Sequence, residues 1–118
     1  MMNLRNILFS LGVLLAGTSL FGGNGALTHV TTEKVCMVTN KVFPTAQIPI
    51  QIDEKTYYGC CKMCKQQIVE KPELRSALDP LSKVKVDKAL AYIGADKTGS
   101  VFYFKNSDNF KKYNAALQ

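Results

Sequence analysis

The sequence has no Trp, one His and only four Cys among its 118 residues. A single His rules out a His-rich catalytic metal site, and four Cys are too few for the disulfide-knotted scaffolds of small secreted proteins. The net charge of +6 comes without a block of five like charges or a nucleic-acid-binding motif. We therefore expect a solvated basic surface, no nucleic-acid partner and no enzymatic activity.

Long apolar runs are also missing. The longest, residues 7–17, has eleven residues, whereas a membrane-spanning helix needs about 20. Arg5 precedes this run and small residues follow it as far as Ala26, which is the order of a secretory signal peptide. We expect residues 1–25 to be that signal, with an uncleaved anchor as the alternative. The mature protein would be periplasmic or secreted, without stable insertion in a membrane.

The remaining residues predict one small α+β domain, because 47% of the chain is hydrophobic. Residues 26–34 are polar and predict a flexible arm. After them, alternating apolar residues and turn signals predict strand, strand and helix twice. The elements of the first half are expected over residues 47–52, 56–59 and 61–70, and those of the second over 84–93, 100–104 and 109–117. A second short helix is expected between the halves, over 72–77.

The two halves can be aligned with each other. The matched positions are residues 36–40 with 79–83, Cys60 with Lys105, and Cys64 with Asn109. Neither half is large enough to bury a sufficient core alone, so we predict two ββα units, residues 35–78 and 79–118, packed together. The face formed by Ile48, Ile50 and Ile52 would be covered by Val101 and Tyr103, or by Phe102 and Phe104, with Phe110.

All four cysteines lie in the first half. Cys36 precedes the hairpin, Cys60 ends its return strand, and Cys64 falls in the first turn of the helix, so folding the hairpin back would bring three thiols together. The helix N-terminus favours the thiolate form, and soft sulfur selects Cu(I), Zn(II) and other thiophilic ions. Cu(I) is favoured because it accepts a low coordination number, whereas Zn(II) would want a fourth ligand. The candidates for an additional ligand are Cys61, Met63, Met37 and His29, although core packing is the simpler role for the methionines and solvent exposure for His29.

The aromatic strand that runs into Cys60, Cys61 and Cys64 after an earlier Cys36 resembles the TRASH and YHS families of small metal-binding domains. The resemblance covers residues 35–73 and, more weakly, 79–113. It implies a treble-clef-like fold for the first unit, with Cys36, Cys60 and Cys64 as ligands. It also implies a role in heavy-metal homeostasis and a metal efflux or transport protein as partner. Cys61 has no counterpart in the family pattern.

Two other interpretations stay open from the sequence. Cys61 and Cys64 have the spacing of thiol–disulfide oxidoreductases at a helix start, although those proteins normally use longer βαβ units. Alternatively, Cys36 is bridged to one of the other cysteines and the domain is a disulfide-stabilised interaction module without metal. Our preferred interpretation is an exported protein that binds a soft metal ion and buffers it or hands it over.

Overall fold

The computed structural model describes residues 25–117, and the predicted signal peptide lies outside these residues except for its last position. Within this range the protein is α+β, as predicted, with nine short strands and two α-helices. Single turns of 3-10 helix cover Thr32–Lys34 and Pro72–Arg75. In chain order, the elements are β1 (Thr28–Val30), β2 (Val35–Cys36), β3 (Lys41–Val42), β4 (Ile48–Ile52), β5 (Lys55–Gly59), α1 (Lys62–Glu70), β6 (Ser76–Leu78), β7 (Lys85–Asp87), β8 (Tyr92–Ala95), β9 (Val101–Phe104) and α2 (Ser107–Ala116).

The strands form four small antiparallel sheets. One has three strands in the order β1-β8-β9, and the others are the pairs β2-β3, β4-β5 and β6-β7. The β4-β5 hairpin turns through Asp53 and Glu54, whose φ angles of 50° and 66° suit the two-residue turn that matches strand twist. Pro49 is tolerated in β4 because that strand has one hydrogen-bonded neighbour, β5.

One hydrophobic core joins the two halves of the chain. Ile50 of β4 lies in the same buried cluster as Val101 and Tyr103 of β9. Of the two pairs expected to cover the isoleucine face, the pair Val101 and Tyr103 therefore does so. Burial of each large apolar side chain contributes about 1.5–3 kcal/mol, so this shared cluster stabilises both halves. Its buried members are Val35, Met37, Ile50, Tyr57, Ile68, Ile93, Ala95, Val101 and Tyr103.

The sequence-based assignment of Phe110 is wrong. Phe110 does not cover the isoleucine face but packs with Leu27 and Phe104 in a second, smaller cluster under α2. The rings of Phe104 and Phe110 meet edge to face, with centroids 5.6 Å apart. Side chains alternate between the two faces of β9, so Val101 and Tyr103 face the first cluster while Phe104 faces the second. Phe110 packs on the side of Phe104 and therefore away from the isoleucine face.

Three local predictions also need correction. Part of the expected flexible arm is strand β1, which pairs with β8 from Thr28↔Ala95 to Val30↔Ile93. The short helix expected over 72–77 is a 3-10 turn followed by β6. The single strand region expected over 84–93 is two strands in different sheets, because Asp87 forms a turn between them. The backbone carbonyl of Asp87 accepts a hydrogen bond from the N–H of Leu90, and its Oδ1 accepts one from the N–H of Ala89.

The two halves have matching backbone turns at the positions that the sequence aligns. The N–H of Asn40 donates to the carbonyl of Cys36, and the N–H of Lys83 donates to the carbonyl of Asp79, both at 2.8 Å. Asn40 and Lys83 share a left-handed conformation, with φ of 57° and 62°. These paired hydrogen bonds place Asp79 in the second half where Cys36 lies in the first.

The helix starts match as well. The N-cap residues Cys61 and Asn106 have φ and ψ of −157° and 175° and of −158° and 176°. In each half two residues separate the end of the strand from the start of the helix, and the chain changes direction there in the same way. The matched turns and helix starts give the second half the same frame around Asp79 that the first half has around its cysteines.

Candidate metal centre

Cys36 is held at the start of a tight turn. The turn closes through the Asn40–Cys36 hydrogen bond, and the N–H of Met37 donates to the carbonyl of Tyr58 at 2.9 Å, which ties the turn to β5. Both Cys36 and Met37 are fully buried. The sulfur of Cys36 is therefore fixed against the end of the β4-β5 hairpin by backbone contacts.

Cys60 and Cys64 come from the strand end and the helix start. Cys60 follows β5 and is exposed, whereas Cys64 lies in the first turn of α1 and is buried. Gly59 allows the strand end to approach the helix, because a Cβ at this position would lie only 3.0 Å from the Cβ of Cys64. A side chain at residue 59 would therefore push Cys64 away from the other two sulfurs.

The structure brings together the three sulfurs that the sequence predicted. The Sγ atoms of Cys36, Cys60 and Cys64 all lie within 4.8 Å of one another. Cys64 is the closest to both others, with its Sγ 3.8 Å from that of Cys36 and 3.5 Å from that of Cys60. Sulfurs bound at about 2.3 Å to one tetrahedral ion are about 3.8 Å apart. The three-cysteine group can hold a metal ion with little change in position.

The three thiols differ in acidity because only one is surrounded by hydrogen-bond donors. Burial raises the pKa of Cys36, but hydrogen bonds from the Thr39 side chain and from the backbone of Thr39, Val38 and Cys60 outweigh it and lower the pKa to about 7. Burial, together with hydrogen bonds to the other cysteines, raises the pKa of Cys64 to about 12. The pKa of Cys60 is also raised: its hydrogen bond with Cys64 lowers it, but its hydrogen bond with Cys36, the partial loss of water around the thiol and the nearby charges of Cys36 and Cys61 outweigh that effect. One thiolate and two thiols are thus the favoured metal-free state at mildly alkaline pH.

These pKa values predict how metal affinity depends on pH. A metal ion that binds three thiolates must displace about two protons between pH 7 and 9 and about three below pH 7, where Cys36 is also protonated. The base-ten logarithm of the metal affinity should therefore rise by about two for each pH unit between pH 7 and 9, and by about three for each pH unit below pH 7. Titration calorimetry in buffers of different ionisation enthalpy counts these protons. Release of a single proton, unchanged across pH 7, would contradict the assignment of three thiol ligands.

Cys61 lies beside the centre but outside the converging group. It is exposed, occupies the N-cap of α1, and is not among the three residues whose ligand atoms converge. The pKa of its thiol is lowered, chiefly by the backbone N–H of Cys64. Cys61 is therefore an accessible thiol at the rim of the centre.

The other candidate ligands take different places. Met37 is fully buried in the shared core, as expected, whereas Met63 is 67% exposed on α1 and packs in neither hydrophobic cluster. His29 lies in β1, where its ring stacks on Tyr92 at 4.1 Å and its Nδ1 lies 3.1 Å from the carbonyl oxygen of Ile93. His29 is exposed, as expected, and neither it nor Met37 belongs to the converging group of sulfurs.

Sequence reasoning missed one residue near the centre, Lys88. Its side chain is only 4% exposed, and its ammonium group donates to the carbonyl of Met37 at 2.7 Å and to Oδ1 of Asn40 at 3.0 Å. Both acceptors belong to the turn that carries Cys36. In the sequence, nothing distinguishes Lys88 from the lysines around it, because its burial depends on the turn between β7 and β8.

Neither helix in the described part of the chain is long and apolar enough to cross a membrane. Comparison of the chain with protein-family models, with curated proteins and with solved structures gives no match in any of the three. The resemblance to the TRASH and YHS families therefore stays a prediction that depends on the cysteine pattern. What the structure itself establishes is a group of three cysteines, Cys36, Cys60 and Cys64, close enough to bind one metal ion.

Proposed function

We propose that this protein binds one soft metal ion through Cys36, Cys60 and Cys64 and buffers it or hands it over, without catalysing a reaction. The convergence of the three sulfurs within 4.8 Å carries the proposal. Three sulfurs with no imidazole or carboxylate in the group suit a thiophilic ion. Cu(I) is the favoured ion because three thiolates complete its coordination, while Zn(II) would take Cys61 or water as a fourth ligand.

The exposure of the ligands supports transfer over permanent storage. Cys36 and Cys64 are buried, while Cys60 is exposed and Cys61 stands next to it at the surface. A partner thiol can reach the ion from this side and replace one ligand at a time. A structural site would instead be closed on all sides. The partner that we propose is a metal efflux or transport protein, and the compartment is the periplasm or the exterior, as the N-terminal sequence predicts.

The proposal is tested by titrating the purified, reduced protein with Cu(I) against a competing chelator. We expect one ion per chain at a site that protects three of the four thiols from alkylation. The same protein should show little turnover in an insulin-reduction assay. Rapid insulin reduction that requires Cys61 and Cys64 would replace the proposal by the redox alternative. A stable disulfide of Cys36 after isolation from the oxidising compartment, with no metal uptake on reduction, would replace it by the disulfide-stabilised interaction module.

A further inference from the structure

Lys88 is a buried cation in contact with the turn of Cys36. Its ammonium group is bound by the carbonyl of Met37 and the side-chain oxygen of Asn40, and it lies 5.0 Å from the ring centroid of Tyr103. Tyr103 donates from its hydroxyl to the same Asn40 oxygen at 2.8 Å. Lys88 and Tyr103 come from the cysteine-free half, and the two hydrogen bonds of Lys88 fix it against the turn of the thiol-bearing half.

No carboxylate in residues 25–117 forms an ion pair with Lys88, and the neighbouring Asp87 is paired with Lys55 instead. Burial lowers the pKa of Lys88 to about 8, and the negative charge of Cys36 acts in the opposite direction. The charge of Cys36 also raises the pKa of Tyr103, after burial. Burying a cation is costly unless an opposite charge lies near. The two oxygens that bind Lys88 belong to the turn that begins at Cys36, so its positive charge is held next to the cysteine centre.

We propose that Lys88 is a positioning residue that biases the thiolate centre towards monovalent over divalent ions. This inference rests on the proposed function and concerns its ion selectivity. Three thiolates with a monovalent ion carry a net charge of −2, and with a divalent ion −1. A fixed positive charge beside the centre stabilises the more negative complex more strongly. Lys88 therefore raises the affinity for a monovalent ion more than that for a divalent one.

The test compares two soft ions of different charge, Ag(I) and Cd(II), by competition with chelators. The variants are Lys88→Met, which removes the charge at similar length, Lys88→Gln, which keeps a hydrogen-bond donor, and Lys88→Arg, which keeps the charge. Lys112→Met is the matched control, because it removes an exposed lysine from α2. Urea unfolding of each metal-free variant reports on the fold separately.

In both neutral variants we expect the Ag(I) affinity to fall about tenfold more than the Cd(II) affinity. Lys88→Arg and Lys112→Met should keep the wild-type ratio of the two affinities. A merely structural lysine would lower both affinities by the same factor, and that result would overturn the inference while leaving the proposed function intact. Neutral variants that remain unfolded in the presence of either ion would show that Lys88 has a structural role. That result would also overturn the inference. Wild-type protein that binds neither ion would overturn both proposals.

Discussion

Cys64→Ser should lower the affinity for Cu(I) by more than about a hundredfold, since loss of a supporting residue outside the ligand set alone costs about ten- to a hundredfold in metal sites. Cys64 lies between the other two sulfurs, 3.8 Å from Cys36 and 3.5 Å from Cys60. A serine hydroxyl there is a hard, poorly acidic donor, so the remaining two thiolates would have to hold the ion alone. The measurement is a Cu(I) titration against a competing chelator under reducing conditions.

Cys61→Ser is the matched control for this variant. It removes a thiol three residues away, on the same helix start, that does not converge with the others. The affinity of this variant should stay within a few-fold of wild type, although the rate of transfer to a partner thiol should fall because Cys61 is exposed beside Cys60. Equal losses of affinity in Cys61→Ser and Cys64→Ser would make the assignment of the three ligands wrong.

The candidate site was predictable because its geometry depends on local rules. The alternation of isoleucines in β4, the turn at Asp53 and the aromatic return strand define a hairpin, and a helix must start just beyond Gly59. A hairpin of this length can return its end to the residues that precede it. The spacing of Cys36, Cys60 and Cys64 was therefore enough to predict their convergence, which the structure confirms.

The features that the sequence did not reveal depend on contacts between distant residues. Strand β1 forms because β8 has a free edge for Thr28–Val30, and the polar sequence of that segment contains no sign of it. The break between β7 and β8 depends on Asp87. Its carboxylate also accepts hydrogen bonds from Lys55 at 2.7 Å and from Tyr57 at 3.0 Å, which lie 32 and 30 residues earlier in the chain. Lys88 is buried by the same turn. Local patterns contain no information about such partners.

Asp79 shows how the cysteine-free half is held without thiols. Its side chain is fully buried in the place that corresponds to Cys36. Its Oδ2 accepts from the N–H of Lys105 at 2.8 Å and from Nδ2 of Asn109 at 2.9 Å, the residues aligned with Cys60 and Cys64. Its Oδ1 accepts from the N–H groups of Leu81 and Ser82. One carboxylate thus joins the turn, the strand end and the helix start, as a metal ion would in the other half.

Asp79→Asn should therefore destabilise the metal-free protein by about 2–4 kcal/mol, because an amide NH₂ in place of one oxygen faces donors and leaves them unsatisfied in the interior. This is a large part of the stability of a small domain, about 5–15 kcal/mol. Urea unfolding at neutral pH measures the loss. Asp96→Asn is the control: Asp96 accepts hydrogen bonds within a surface loop, from Thr98 and Ser100, and its replacement should cost much less.

The loss in Asp79→Asn should also disappear in acid. Burial raises the pKa of Asp79, but hydrogen bonds from Lys105, Asn109, Ser82 and Leu81 outweigh it, so the pKa in the folded protein lies below the ordinary value of 3.8. A carboxylate whose pKa is lowered by folding contributes its full stability above that ordinary value and loses it as the pH falls through the folded pKa. The wild type and the variant should therefore differ most above pH 4 and converge below it. A difference that stays constant into acid would mean that the charge of Asp79 does not hold this half together, and that the packing around it does.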